Sequence, residues 1–262
     1  MRRPPTPRRV MWAIARRLPR TPFRFLMPRW VWRPLFGFWL SVVRSDPDRT
    51  RAVRELLKTY DLVYREVDLA AIAYDDGVHP KHRLTRYHDF FVERVRPGER
   101  VLDIGCGKGE LANDLVQRAG ASVVGVDHDP SHLAFARERF THERLEFRDG
   151  DVLEELPAGR FDVVVLSNVL EHLEPRVDFL RRIVESARPH RLLVRVPVYE
   201  RDWTIPLKAE VGLPSYWDPD HEIEYDETSF RAELAEAGLD VPELALTWGE
   251  IWAVAVPGGT GR

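Results

Sequence analysis

With 262 residues, 44% hydrophobic and 31% charged, the chain can bury a sizeable core and suits one α/β domain with extensions. Its single cysteine, Cys106, excludes an intramolecular disulfide and favours a reducing, cytoplasmic setting. The net charge of −3 is unevenly spread: residues 1–44 hold eleven arginines and no acid, which leaves −14 on the remaining 218 residues.

That basic leader, residues 1–44, interleaves its arginines with Trp12, Phe23, Phe25, Trp30, Trp32, Phe36, Phe38 and Trp39. Its longest apolar run covers the nine residues Leu35 to Val43, against the roughly 18 needed to span a bilayer as a helix. Its prolines interrupt the apolar helix of a secretory signal. Arginine with indole and phenyl rings suits the surface of an anionic membrane, which would place the protein at the inner face of the membrane as a peripheral protein. Packing of the rings on the main domain or on a second copy in a homo-oligomer is the rival. Nucleic acid fits less well, because the main domain is acidic.

At Ser45-Asp46-Pro47-Asp48 a helix starts, with acids around a proline at its first position. Val53, Leu56, Tyr60, Val63 and Val67 recur every three or four residues and give it one apolar face. Asp75-Asp76-Gly77 ends it, so residues 45–78 form an N-terminal helical extension ahead of a domain over 79–257. His79, His82 and His88 invite a metal reading, but no H-x-x-x-H or cysteine spacing supports one. No metal is expected. The stretch from His79 to Phe91 leads into a helix ending before Pro97-Gly98.

Val101 to Ile104 is the short apolar run of a buried strand, and Leu111, Leu115 and Val116 follow at helical spacing. Between them Gly105, Gly107 and Gly109 can take strained backbone angles and let a ligand reach the main chain, beside the free N–H groups of the next helix. Glu110 stands where a dinucleotide fingerprint needs its last glycine. Val123 to Asp127 is a second strand, and its terminal acid lies 22 residues after Gly105, where a carboxylate can accept two ribose hydroxyls. Cys106, inside the turn, is a small residue that fits under a ligand rather than a reactive thiol.

Strands near 122–127, 144–148, 161–166 and 191–197 alternate with helices from 131 and over 175–187, the pattern of a doubly wound parallel sheet. A helix over 226–237, closed by Gly238, precedes a hairpin of 244–248 and 251–256 around Gly249-Glu250. Ligands bind beyond the carboxyl ends of such strands, so the long segment 198–225 reads as a substrate lid. Asp202, Trp203 and Tyr216 are its candidate substrate contacts. Arg195, a charge inside a buried strand, needs either a polar substrate group or a salt bridge to Asp202 or Glu210. A reaction that takes the proton of a hydroxyl needs a base, and His172 and His221 are the candidates. His221 comes first, because Asp218, Asp220 and Glu222 surround it in sequence.

Four stretches stand in order: Val101 to Ala112, Val123 to Asp127, Leu145 to Val152 and Phe161 to Leu173. From about residue 80 to 257 the chain resembles the class I S-adenosylmethionine-dependent methyltransferases. The resemblance implies a seven-stranded Rossmann-like sheet with its last strand antiparallel, and S-adenosyl-L-methionine as cofactor. It implies that Asp103 and the three glycines hold the cofactor's methionine part, and that Asp151 lies near the adenine amino group. Ser167 to His172, with Asn168, would pass the methyl-donor end, and Arg83 or Tyr87 would meet the cofactor's carboxylate. The stretches at His79–Phe91 and Trp248–Trp252 are more loosely similar to bacterial methyltransferases associated with polysaccharide genes. The expected activity is methyl transfer to a small or lipid-linked acceptor, at a hydroxyl of a sugar or glycan. The rival is a non-catalytic cofactor-binding or regulatory protein on the same fold.

Overall fold

The computed structural model describes residues 28–216, 218 and 220–258. Trp12, Phe23 and Phe25 of the leader and Trp217 of the lid lie outside the described residues. The chain divides into two compact units, with the limit between Leu62 and Val63.

In the first unit, α1 (Arg29–Arg44) runs through Pro34, although the leader's prolines read as interruptions. Pro34 forfeits one backbone bond to the preceding turn, and the helix continues on both sides. No residue of α1 is buried, and Trp30, Leu35, Phe38 and Val42 are among its exposed side chains. The helix α2 (Arg49–Tyr74) crosses the limit between the units and starts where the sequence places it. Asp46 accepts the Asp48 N–H at 2.9 Å and Asp48 accepts the Arg51 N–H at 3.0 Å, which satisfies donors that a helix start leaves free. Among the described residues, no helix is long and apolar enough to cross a membrane.

The second unit opens with α3 (Lys81–Thr85) and α4 (His88–Val92) in place of one continuous helix. Arg86 between them has φ +52°, a left-handed backbone that ends a helix. There follow β1 (Arg100–Ile104), α5 (Glu110–Ala119), β2 (Ser122–Asp127), α6 (Pro130–Arg139), β3 (Leu145–Asp149) and β4 (Val163–Ser167). A 3₁₀ turn over Leu170–His172 leads to α7 (Arg176–Ala187) and β5 (Arg191–Pro197). After a second such turn at Tyr199–Arg201 come α8 (Thr204–Glu210), α9 (Glu227–Glu236), β6 (Leu239–Thr247) and β7 (Glu250–Pro257).

The seven strands form one sheet in the order β3-β2-β1-β4-β5-β7-β6. β1 to β5 pair parallel, and β7 is antiparallel to both β5 and β6. Period-two alternation sorts the strand residues onto two cores. Leu102, Ile104, Val164 and Leu166 join Phe179, Leu180 and Ile183 of α7 with Phe230 and Leu234 of α9. Val101, Val123, Val163 and Val165 join Leu111, Leu115 and Val116 of α5. A sheet covered on both faces therefore has strands apolar at nearly every position. Truncating fully buried Leu115 to alanine should cost about 2–5 kcal/mol of stability.

The hairpin from β6 to β7 closes on Trp248 and Gly249, with φ +54° and +71°, the two left-handed residues of a tight two-residue turn. The chain direction across the sheet reverses between β1 and β4: β2 and β3 lie to one side, β5 and β7 to the other. The crevice beyond the carboxyl ends of β1 and β4 is the place for a ligand. The glycine turn leaves β1 there, and residues 168–172 leave β4 there.

Candidate active site

The turn after β1 is built to leave space. Gly105, Gly107 and Gly109 all have left-handed backbones, with φ +67°, +54° and +83°. Their surroundings differ. A Cβ on Gly105 would lie 2.8 Å from Val169 Cγ2, and one on Gly109 would lie 2.6 Å from Phe147 Cζ. A Cβ on Gly107 would meet nothing within 4 Å. The first and third glycines thus permit packing, and the middle one faces the crevice.

Two carboxylates frame this turn. Asp127, at the end of β2, accepts the Gly107 N–H at 2.8 Å through Oδ2 and the Asp129 N–H at 2.9 Å through Oδ1, so it pins the turn to the second strand. Each oxygen keeps a lone pair for a hydroxyl. Asp103 is buried, and its Oδ2 has no hydrogen-bond partner. Burial, with the nearby Asp127 charge, pushes its pKa up to about 7. An orphaned buried carboxylate beside an open glycine fits a ligand that brings a cationic or donor group. Cys106 is buried, and burial pushes its thiol pKa up, which makes it a packing residue.

Beyond β4 the chain makes a second site. Asn168, with φ +58°, donates its Nδ2 hydrogen to Glu171 Oε1 at 2.8 Å. Glu171 is fully buried, and its Oε2 has no partner. Burial is the main cause that raises its pKa. His172 and His221, 49 residues apart in sequence, meet edge to face with ring centroids 4.8 Å apart. The Glu222 N–H donates to the Glu171 carbonyl at 2.7 Å, fastening the lid to this turn.

His221 is buried, and its Nδ1 lies 2.8 Å from Glu224 Oε1. Nδ1 of exposed His172 lies 3.2 Å from the Asp220 carbonyl oxygen. Both partners are acceptors, so each Nδ1 carries a proton, which in the neutral ring leaves the lone pair on Nε2. Glu224, rather than Asp218, Asp220 or Glu222, orients the His221 ring. One ligand atom from each of Glu171, His172 and His221 lies within 4.8 Å of the other two.

Several predicted site residues are engaged elsewhere. Arg83 pairs with Asp75 at 3.1 Å and is exposed. The Tyr87 hydroxyl is 3.3 Å from His82 Nδ1. Arg195 is buried and held in a two-point pair with Glu250 on β7, both bonds 2.6 Å, so its salt-bridge partner is not Asp202 or Glu210. Its guanidinium also stacks 4.1 Å from the Tyr87 ring centroid and 5.0 Å from that of Trp252. Asp202 accepts the Thr204 N–H at 2.9 Å and starts α8. Trp203 and Tyr216 are exposed, and Asp151 is exposed and accepts the Leu153 N–H at 2.8 Å.

Of the three clustered histidines, His79 pairs with Asp68 and His88 with Asp114, at 2.8 and 2.9 Å. Burial and neighbouring positive groups lower the pKa of His82 to about 3. Glu171 and Glu224 are the residues that the sequence reading missed. Glu171 stands beside a candidate histidine, and Glu224 lies three residues past the other.

The methyltransferase-domain family matches residues 101–190, which run from the first strand of the glycine turn to just beyond the end of α7. A ubiquinone biosynthesis O-methyltransferase from Azorhizobium caulinodans is 34% identical over 173 residues, 62% of this chain and 68% of that protein. One from Bradyrhizobium diazoefficiens is 36% identical over 147 residues, 55% of this chain and 57% of that protein. A methyltransferase solved in complex with the Haloferax volcanii Trm112 methyltransferase activator superposes with a TM-score of 0.59 at 20% identity, over 72% of this chain and 96% of that one. This last likeness is one of fold.

Proposed function

Since the chain belongs to the class I S-adenosylmethionine-dependent methyltransferases, we propose that it methylates a hydroxyl oxygen of a small acceptor held between the glycine turn and the Glu171–His172–His221 cluster. The observation that carries this reading is the pair of imidazoles beyond the carboxyl end of β4, in contact with each other and each with its Nδ1 turned to an acceptor. Bound in the crevice, S-adenosylmethionine supplies a methyl group on a positively charged sulfur that leaves as a neutral thioether. Asp103 and the glycine turn would hold its amino-acid end, Asp127 would hold the ribose hydroxyls, and Asp151 would stand near the adenine.

The chain's own contribution to the reaction is to align the acceptor oxygen and lower its hold on the proton. Glu224 fixes the His221 tautomer and stabilises the imidazolium if Nε2 takes that proton. The relatives' names support an oxygen acceptor and do not extend to a sugar or glycan. Incubating the full chain with S-adenosylmethionine and a panel of phenols and sugars, read by product mass, tests the reading. A mass gain of one methyl group on an oxygen is expected. Cofactor binding by calorimetry without any methylated product would favour a non-catalytic role.

Residues 1–44 hold this enzyme at an anionic membrane surface. Support comes from the exposed rings of α1 and the eleven arginines of the leader, at about 1 kcal/mol per engaged basic residue. Sedimentation with anionic vesicles should fall with added salt and disappear in a chain starting at Ser45. Equal binding of that shortened chain would reject the membrane role.

A further inference from the structure

The three side chains beyond β4 are arranged as more than a base and its helper. In each, one atom is taken up by a neighbour and the other is left for a ligand. Asn168 occupies Glu171 Oε1, while buried Oε2 is without a partner. Glu224 occupies His221 Nδ1, and the Asp220 carbonyl occupies His172 Nδ1. Metal-bound histidines show this pattern: the ring nitrogen away from the ion donates to a carboxylate or a backbone carbonyl, which fixes tautomer and orientation.

We propose that Glu171, His172 and His221 form a site for one divalent first-row transition-metal ion, and that this ion takes the acceptor oxygen as a further ligand. Two imidazoles and one carboxylate suit zinc, manganese or iron(II) better than the all-oxygen preference of magnesium or calcium. Three protein ligands leave positions open, as in catalytic sites. The separations fit with a small adjustment. Ligand atoms about 2.0–2.2 Å from a shared ion stand roughly 3–4 Å apart, and one potential ligand atom from each of the three residues already lies within 4.8 Å of the other two. His172 is the exposed member and can supply the swing.

The inference rests on the hydroxyl-acceptor reading for its role but not for its site. An ion at these ligands would take the Nε2 lone pairs, so the acceptor hydroxyl would lose its proton through coordination, to solvent, with the oxygen keeping the electron pair. His221 would then act as a ligand and not as the direct base.

The test uses the full chain, stripped with chelator and titrated with cobalt(II) as a visible-absorbing probe, then with zinc in competition. One equivalent of cobalt should give the intense visible bands of a low-coordinate nitrogen and oxygen site, and zinc should displace it. His172→Ala, at an exposed position, should remove the bands with S-adenosylmethionine affinity unchanged, and Glu171→Gln and His221→Ala should do the same. Glu224→Gln should weaken binding about 10- to 100-fold. His142→Ala, at a half-buried histidine outside the cluster, should change nothing. No stoichiometric cobalt or zinc binding, or binding that survives all three ligand substitutions, overturns the proposal. Metal binding lost in these variants, with no hydroxyl methylated by the loaded enzyme, would sink the acceptor reading and leave the site standing.

Discussion

The glycine turn and the histidine cluster lie beyond neighbouring strands, β1 and β4, yet they are made in different ways. The turn is local: Asp103, Gly105, Gly107 and Gly109 lie within seven residues, and two ties to the end of β2 fix it, from the Gly107 N–H to Asp127 and from the Cys106 N–H to the Val126 carbonyl. The cluster is assembled from two distant segments, 168–172 and 220–224, joined by the Glu222-to-Glu171 backbone bond, the His172 ring's bond to the Asp220 carbonyl and the contact of the two rings. A local site survives as long as its strand and helix do. An assembled site depends on the lid staying closed over it, so substitutions in the two regions should separate cofactor binding from turnover.

The largest expected effect is at the turn. Gly107→Arg should abolish S-adenosylmethionine binding by calorimetry, because the new side chain starts in the open space that the ligand needs. The fold should survive with a loss of roughly 1–2 kcal/mol for a side chain in a left-handed backbone. Undiminished affinity would show that the turn does not hold the cofactor. On the other side, His221→Ala should lower turnover about 10²- to 10⁴-fold with cofactor affinity kept. If affinity falls with turnover, the two regions are not separable. Smaller again is Asp127→Ala, which should weaken cofactor binding by about 1–3 kcal/mol, read as a shift in dissociation constant.

The same contrast explains what the sequence could tell. Strand and helix positions are periodic and local, so the sheet, the helix from Arg49 and the terminal hairpin are legible from spacing alone. The glycine turn is legible because three glycines at alternate positions have few other uses. The partners in the assembled site are not. Whether Glu224 or a nearer acid orients His221 depends on how an irregular lid folds back, which no periodicity encodes. Arg195 and Glu250 are 55 residues apart, and only the pairing of β5 with β7, which sets Arg195 opposite Trp252 and Pro197 opposite Glu250, brings them together. Helix α1 illustrates the opposite failure: the prolines of the leader suggest breaks, while a single proline costs a helix one bond and a local clash.

Asp103 gives the finest test of the local site, a slope instead of a loss. Its ordinary pKa of 3.8 is raised in the fold to about 7 by burial and by the Asp127 charge. Between those values the folded protein keeps a proton that the unfolded chain has released, so the folded state binds more protons and stability must fall as pH rises through the window. Below about pH 4 and above about pH 7 this contribution is flat. One proton gives at most about 1.4 kcal/mol per pH unit. Denaturant midpoints of the cofactor-free protein should therefore decline from about pH 5 to about pH 7, beyond any trend shared with Asp103→Asn, which has no carboxylate to titrate. Saturating S-adenosylmethionine should flatten the decline, because its ammonium group would give the ionised carboxylate the partner that Oδ2 lacks. A slope identical in Asp103→Asn would place the titration elsewhere, and a slope unchanged by cofactor would take Asp103 out of the contact with its amino-acid end.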